Sequence, residues 1–364
     1  MSAAADRRFM DMALSLGRRG LGRTWPNPAV GAVIVKDGVI VGRGWTQPGG
    51  RPHAEVEALR RAGEAARGAT MYVTLEPCSH HGKTPPCADA VIASGIARVV
   101  SALEDPNPEV AGQGHARLRA AGIAVEVGLG AEEARRDHAG HIRRMREGRP
   151  NVMLKLAISA DGKAGAAGRK PVAITGEAVR ERVHLFRAHS DAIMVGIGTV
   201  LADDPMLTCR LPGMAKDSPV RVVADSMLRL PVNSRLVQSA YETPVWALTG
   251  LAAPQDSEFI LLPLGVEVLR SPQSTGRLDL KDGLEFLAAK GITRLMVEGG
   301  PTLAAAFIAA DLVDEAVLFH APTTVGPDGV DALATDAMAV LTRRLKQVSS
   351  EQVGSDRQVN YARE

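Results

Sequence analysis

The chain has 364 residues, about 2.4 times the ~150 residues of a typical single domain, so two domains with separate cores are expected. Its 43 Lys+Arg stand against 41 Asp+Glu for a formal charge of +2, and aromatics are 3%, which argues against a polyanion-binding surface or a base-stacking platform. An apolar share of 45% with 23% charged residues excludes a disordered or fibrous chain, and no apolar run approaches the ~18 residues of a membrane span. The charged stretch Met1 to Arg8 is followed by no apolar segment with a small-residue cleavage site, so no secretory signal is read and a cytoplasmic protein is expected. Three cysteines permit at most one disulfide and leave metal binding or catalysis as the more informative use.

In chain order, Ala29–Val35 and Val39–Trp45 are Val- and Ile-rich runs joined by Asp37-Gly38, a type I′ turn pair, and predict a hairpin. Helical spacing follows over His53–Arg67, then a strand over Ala69–Leu75, a helix over Ala88–Ser94 stopped by Gly95, a strand over Ala97–Leu103, a helix over His115–Ala121 and a strand over Ile123–Val127. This alternation predicts a three-layer α/β sheet. Glu132–Arg149 reads as a polar helix whose arginines are interleaved with acids, as on a solvated face, and Gly148-Arg149-Pro150 marks a domain boundary. A second α/β series has strands at Asn151–Ile158, Asp191–Val195, Val220–Ala224, Pro244–Leu248, Thr293–Val297 and Glu315–Phe319, with helices at Glu177–His189 and Thr302–Ala310. Arg343–Tyr361 reads as closing strands, and no fixed-period repeat is present.

His53-Ala54-Glu55 opens a helix, and about twenty residues later a strand runs into Pro77-Cys78, followed by Cys87. One His and two Cys are three zinc ligands, and three protein ligands with a position left for water define a catalytic zinc. Such a metal lowers the pKa of its water, and Glu55 is placed to carry the proton to the ring nitrogen and the departing ammonia, as in zinc nucleobase deaminases. Two other readings compete: an ordinary helix-start histidine beside unrelated thiols, and a structural zinc that takes His80 or His81 as a fourth ligand. Gly82-Lys83-Thr84 echoes the end of a P-loop, but Pro77 stands where the leading glycine belongs. Gly196-Ile197-Gly198 begins a dinucleotide fingerprint that Leu201 interrupts, so a standard Rossmann site is not expected.

Thr74-Leu75-Glu76-Pro77-Cys78-Ser79-His80-His81-Gly82-Lys83-Thr84-Pro85-Pro86-Cys87 resembles, nearly letter for letter, the deaminase half of the bifunctional RibD family of riboflavin biosynthesis. Pro26-Asn27-Pro28-Ala29-Val30-Gly31 and Asp105-Pro106-Asn107-Pro108 resemble that family's substrate loops. The resemblance implies hydrolytic deamination of a diaminopyrimidine bearing a phosphoribosylamino group, with Asn27, His80, Lys83, Asp105 and Asn107 holding the pyrimidine or its ribose phosphate. A lysine on a glycine-hinged loop also suits phosphate as a point charge.

In the second half, Val297-Glu298-Gly299-Gly300-Pro301-Thr302 joins strand to helix through paired glycines, letting a ligand approach the backbone and a helix N-terminus. With Lys155–Lys163 and Thr199–Thr208 it resembles the family's reductase half. That half is dihydrofolate-reductase-like and uses NADPH to reduce the ribosyl group to ribityl. The resemblance implies NADP contacts at Ala157, Thr199, Asp203, Leu207, Ser226 and Gly300, Pro301, Thr302, Leu303, Ala304, Ala305 and Ala306, with substrate at Arg187, Arg210 and Glu298. Pro171-Val172-Ala173 departs from the family's Ser-x-Trp.

The expected architecture is a cytidine-deaminase-like three-layer α/β/α domain over residues 1–148, followed by a dihydrofolate-reductase-like α/β domain over residues 149–364. The expected cofactors are zinc and NADPH, the partner a small phosphoribosylaminopyrimidine rather than nucleic acid or membrane, and a homo-oligomer is compatible with this reading. A nucleic-acid-editing zinc deaminase with an accessory domain is the alternative, against which the balanced charge, few aromatics and long insert between the cysteines weigh.

Overall fold

A computed structural model describes residues 2–82, 84–108, 110–169, 172–274 and 276–363. It forms two compact units, Met1–Gly148 and Arg149–Glu364. Among the described residues no helix is long and apolar enough to cross a membrane.

The first unit contains α1 (Ala3–Arg18), β1 (Gly31–Lys36), β2 (Val39–Trp45), α2 (Ala54–Ala62), β3 (Thr70–Val73), α3 (Cys87–Ala93), β4 (Arg98–Ser101), α4 (Gln113–Ala120), β5 (Ala124–Val127), α5 (Ala131–Asp137) and α6 (Ala139–Glu147). The sheet order is β2-β1-β3-β4-β5, antiparallel across β2, β1 and β3 and parallel from β3 to β5. The hairpin turn has Asp37 and Gly38 both at positive φ, 50° and 78°, as a type I′ turn requires. On the sheet, α1 neighbours α5, while α2, α3 and α4 neighbour one another in sequence.

Helix α1 does not appear in the sequence reading, which saw only charge at the N-terminus. Its buried Phe9, Met10, Ala13, Leu14 and Leu16 recur at helical spacing, and the Ser2 hydroxyl caps it by accepting the Ala5 amide. Asp6 on this helix is buried; it accepts both Arg98 guanidinium nitrogens, at 3.0 and 2.9 Å, and the Tyr72 hydroxyl. The helix expected over Glu132–Arg149 is two helices, broken at His138. The helix expected over His53–Arg67 is shorter, because His53 is its extended N-cap and Gly63, at φ 53°, ends it.

The second unit contains β6 (Asn151–Ile158), β7 (Lys163–Gly165), α7 (Glu177–Ala188), β8 (Ala192–Gly196), α8 (Ile197–Asp203), β9 (Val220–Ala224), α9 (Arg235–Gln238), β10 (Val245–Gly250), α10 (Gln255–Leu261), β11 (Val266–Ser271), β12 (Gln273–Ser274), β13 (Arg277–Leu278), α11 (Leu280–Ala289), β14 (Arg294–Val297), α12 (Pro301–Ala309), β15 (Glu315–His320), β16 (Val330–Asp331), α13 (Thr335–Arg344), β17 (Lys346–Val353) and β18 (Asp356–Ala362). Its nine-stranded sheet runs β11-β10-β9-β8-β14-β6-β15-β18-β17. The strands are parallel from β11 to β15 and close with the antiparallel β18–β17 hairpin.

Buried charge sets the geometry here. The Asp191 carboxylate accepts the Thr293 amide and hydroxyl at 2.7 and 2.6 Å and the Arg294 amide at 2.9 Å, fixing the start of β8 against β14. Arg221 on β9 is fully buried and donates to the carbonyls of Met206, Leu236, Ser239 and Thr243 and to the Ser239 hydroxyl. Burial draws its pKa down to about 10, so it stays charged at neutral pH.

Close backbone packing makes one glycine a sharp test of the first unit. A Cβ on Gly31 would lie 1.9 Å from the Ala13 carbonyl oxygen and 2.5 Å from the Gly17 nitrogen, both backbone atoms of α1. Gly31→Ala is therefore expected to destabilise this unit by about 3 kcal/mol, the upper end for overpacking. Urea titration followed by tryptophan fluorescence in a Trp246→Phe background, where only Trp25 and Trp45 of the first unit report, checks it; an unchanged midpoint would contradict the packing described.

Candidate active sites

In the first unit, the C-terminal ends of parallel strands β3 and β4 lead into Thr74–Cys78 and Asp105–Asn107, the edge where open α/β sheets bind ligands. His53, Cys78 and Cys87 converge there, their ligand atoms within 4.8 Å of one another. His53 Nδ1 is 3.7 Å from Cys78 Sγ and 3.3 Å from Cys87 Sγ. A tetrahedral zinc, with Zn–S of about 2.3 Å and Zn–N of about 2.0 Å, needs such pairs about 3.5 Å apart, so this donor set fits zinc.

The electrostatics suit a cation. A hydrogen bond from Cys87, opposed by burial and assisted by His53, draws the Cys78 thiol down to about 4. The Cys87 thiol, sharing that bond, is pushed up. The Cys87 amide, at the start of α3, donates to Cys78 Sγ at 3.3 Å, as suits a thiolate. His80 and His81 are exposed and stand outside the three-residue cluster, leaving no fourth protein ligand in it among the described residues.

Glu55 lies in the first turn of α2, two residues beyond His53, and is 3% exposed. Burial pushes its pKa up to about 7, with His53 opposing and Cys78 reinforcing the shift. A carboxyl in that range can both take and return a proton near neutral pH.

Of the other deaminase residues read from sequence, Asn27 donates its side-chain amide to the Gly50 carbonyl at 3.1 Å. Asp105 accepts the Asn107 amide at 2.9 Å and lies 3.6 Å from His141 Nε2. Burial would raise the Asp105 pKa, but His141 and the Asn107 amide hold it below the usual carboxylate range. Lys83 lies outside the described residues.

In the second unit, β8, β14 and β6 are neighbours in the sheet though far apart in sequence, and their C-terminal ends surround a cleft of about 330 Å³. Ala157, Thr199, Asp203, Glu298, Gly300, Pro301, Thr302 and Leu303 line it. Gly196 and Gly198 of the interrupted dinucleotide pattern line it too, at a strand-to-helix turn. Helix α12 starts here with Gly300 as N-cap, with no side-chain cap and no acid in its first turn, so its N-terminus suits a phosphate. These glycines and this helix end fit a dinucleotide.

The remaining expected residues lie elsewhere. Ala304 is fully buried, and Ala305 and Ala306 are not among the cleft's lining residues. Leu207 is 3% exposed at φ 55°. The Ser226 carbonyl accepts the Gly250 amide, and Ser226 is not part of the lining. Where the departure from Ser-x-Trp was read, Val172 lines the cleft and Pro171 lies outside the described residues.

Glu298 is the charged centre. It accepts Lys155 Nζ at 3.1 Å through Oε1 and Arg187 Nε at 3.0 Å through Oε2. Burial opposes ionisation, but Lys155 and Arg187 override it and hold Glu298 at about 2. Arg187 also donates to the Thr208 carbonyl at 3.1 Å. Arg210 is exposed, its amide donating to His184 Nδ1 at 3.3 Å. Lys155 carries a signal in the sequence, a lysine in the middle of the apolar run Val152–Ile158 of a parallel strand.

Residues 150–359 match the RibD C-terminal domain, and residues 3–103 match the cytidine and deoxycytidylate deaminase zinc-binding region. The riboflavin biosynthesis protein RibD of Escherichia coli (strain K12) is 47% identical over 334 residues, covering 89% of each chain. That of Bacillus amyloliquefaciens is 43% identical over 318 residues, covering 87% of this chain and 85% of its own. Among solved structures, Acinetobacter baumannii RibD has a TM-score of 0.89 at 38% identity over 100% of both chains. The Thermotoga maritima diaminohydroxyphosphoribosylaminopyrimidine deaminase/5-amino-6-(5-phosphoribosylamino)uracil reductase has a TM-score of 0.85 at 35% identity over 99% of both chains. Likeness that runs through both units at these identities makes the chain a member of the RibD family of riboflavin-biosynthesis proteins.

Proposed function

We propose that the chain is a bifunctional enzyme of riboflavin biosynthesis. Residues 1–148 hydrolytically deaminate 2,5-diamino-6-(5-phosphoribosylamino)pyrimidin-4-one to the uracil, and residues 149–364 reduce its ribosyl group to ribityl with NADPH. The carrying observation is the convergence of His53, Cys78 and Cys87 beside buried Glu55 in a chain of this family. The cytoplasm is the proposed compartment, since Cys78 and Cys87 must stay reduced thiols to hold a metal. The substrate is a small molecule, and the near-neutral charge favours no nucleic acid.

His53, Cys78 and Cys87 hold zinc, which when bound supplies Lewis acidity that makes water nucleophilic near neutral pH. Glu55 takes one proton from the attacking water and passes it to the ring nitrogen; it then takes the second proton from the hydroxyl now on the ring carbon and passes it to the amine, whose C–N bond breaks to release ammonia while the C=O forms. Asn27, His80, Lys83, Asp105 and Asn107 hold the pyrimidine and its ribose phosphate.

In the cleft, NADPH supplies the hydride. Ala157, Thr199, Asp203 and the Gly300–Leu303 segment, which line the cleft, hold the cofactor. Glu298 stays anionic and keeps Lys155 and Arg187 at the substrate end. Arg187 already serves Glu298 and Thr208, whereas the Arg210 guanidinium has no protein hydrogen-bond partner among the described residues and takes the substrate phosphate.

Three outcomes follow. The purified protein should contain one zinc per chain, and Cys78→Ser should lose both metal and deamination, since a hydroxyl poorly replaces a thiolate. Full zinc occupancy by atomic emission in that variant would remove Cys78 from the ligand set. Glu55→Gln should keep zinc and slow ammonia release by about 10²–10⁴-fold, the range for removing a positioned acid or base. Arg210→Ala should lower the kcat/KM of NADPH oxidation on the deaminated intermediate by about 10- to 150-fold, as expected for a lost charge-assisted contact, and leave ammonia release intact. Equal loss of both activities in that variant, with zinc retained, would contradict two separate sites.

A further inference from the structure

Glu76 immediately precedes Pro77-Cys78, and its side chain is 2% exposed. Its own amide donates to the Leu103 carbonyl at 2.9 Å, so it sits where the β3–β4 pairing ends. The carboxylate then takes over from the ladder. Oε2 accepts the amides of Asp105 at 3.0 Å and Gly112 at 2.9 Å; Oε1 accepts those of Gly114 at 2.7 Å and His115 at 3.2 Å. All four donors belong to the segment after β4 that carries Asp105 and Asn107 and leads into α4.

The second half of that contact is a helix cap supplied from outside the helix. The N-cap of α4 is Gly112, at φ 75°, with no side chain to accept the first-turn amides. Glu76 Oε1 accepts the second and third of them, the bonds an N-cap Ser or Asp would make, and its charge meets the positive helix end. Gly114 leaves room for this approach, since a Cβ there would lie 2.0 Å from the Pro77 carbonyl oxygen. Glu76 also comes near Glu104 and His115, but oxygens turned toward four amides offer little to a cation.

We infer that Glu76 is a positioning residue of the deaminase, holding Asp105 and Asn107 in register with the zinc ligand Cys78, two residues along the chain. This rests on the deaminase function proposed above. Only a carboxylate can do it, because each oxygen receives two N–H groups. A glutamine would point its own NH₂ at two donors whichever way it turned.

The test uses zinc-loaded full-length protein and the phosphoribosylaminopyrimidine. Glu76→Gln should keep its zinc, raise KM about 10- to 100-fold with kcat changed only a few-fold, and speed amide exchange at Asp105, Gly112, Gly114 and His115. Glu76→Asp, which keeps both acceptor oxygens on a shorter arm, should recover part of the KM and carries the test if Glu76→Gln does not fold. In an Asp105→Ala/Asn107→Ala background, Glu76→Gln should add less than about 2-fold to KM, because the groups it positions are gone. A fall in kcat at unchanged KM, loss of zinc, or a full additive effect in that background would each overturn the inference. If the wild-type protein released no ammonia, the deaminase reading would fail, while the exchange measurement would still decide whether Glu76 holds the segment.

Discussion

At the C-terminal edge of a parallel sheet the hydrogen-bond ladder stops, and the loops that carry chemistry must pair their backbone amides with something other than a strand. Buried amides left unpaired would cost about 1–3 kcal/mol each. In both units carboxylates meet this demand, a buried one in the first and an exposed one in the second. Glu76 collects four amides beyond β4. Asp161 accepts the amides of Val325 at 3.1 Å and Gly326 at 2.7 Å, tying down the segment before β16. At the opposite edge, where β6 and β15 begin, the buried Asp314 accepts the Val152 amide at 2.9 Å while paired with Arg149.

The charged groups of the two candidate sites obey the same constraint with opposite results. Glu55 meets few donors, and burial leaves it ready to exchange a proton. Glu298, its side chain 16% exposed, meets a lysine and an arginine that hold it as an anion. The two environments therefore suit one carboxylate to exchanging a proton and the other to holding cations in place.

Local patterns in the sequence carried much of this. Asp37-Gly38 specified its turn because few residues accept positive φ twice running, and the His53, Cys78 and Cys87 set was readable because zinc chemistry restricts ligand types. The strands on either side of Gly148-Arg149-Pro150 were readable as apolar runs. Helix α1 was missed because Arg7, Arg8, Asp6 and Asp11 break up its apolar stripe in linear reading, although in three dimensions Asp6 faces inward to Tyr72 and Arg98. The contacts of Glu76 and Lys155 are not legible in the sequence, since they depend on partners 29 to 39 and 143 residues away. In the Gly300–Ala306 run, helical rotation turns Ala304 into the core, a distinction that a contiguous motif does not display.

The buried Arg221 has a consequence for how the family member can drift. Its charge is compensated by carbonyl dipoles from the loop at Met206, from α9 and from Thr243; among the described residues no carboxylate pairs with it directly, and Glu242 acts on it only at a distance. Lysine offers three donors from a single point and cannot span that arc. An insertion or deletion in any one of these segments would strand the cation unless the others moved with it. The stretch carrying Leu207 and Arg210 is thus bound to evolve in concert with α9, a helix of four residues that does not line the cleft at β8, β14 and β6.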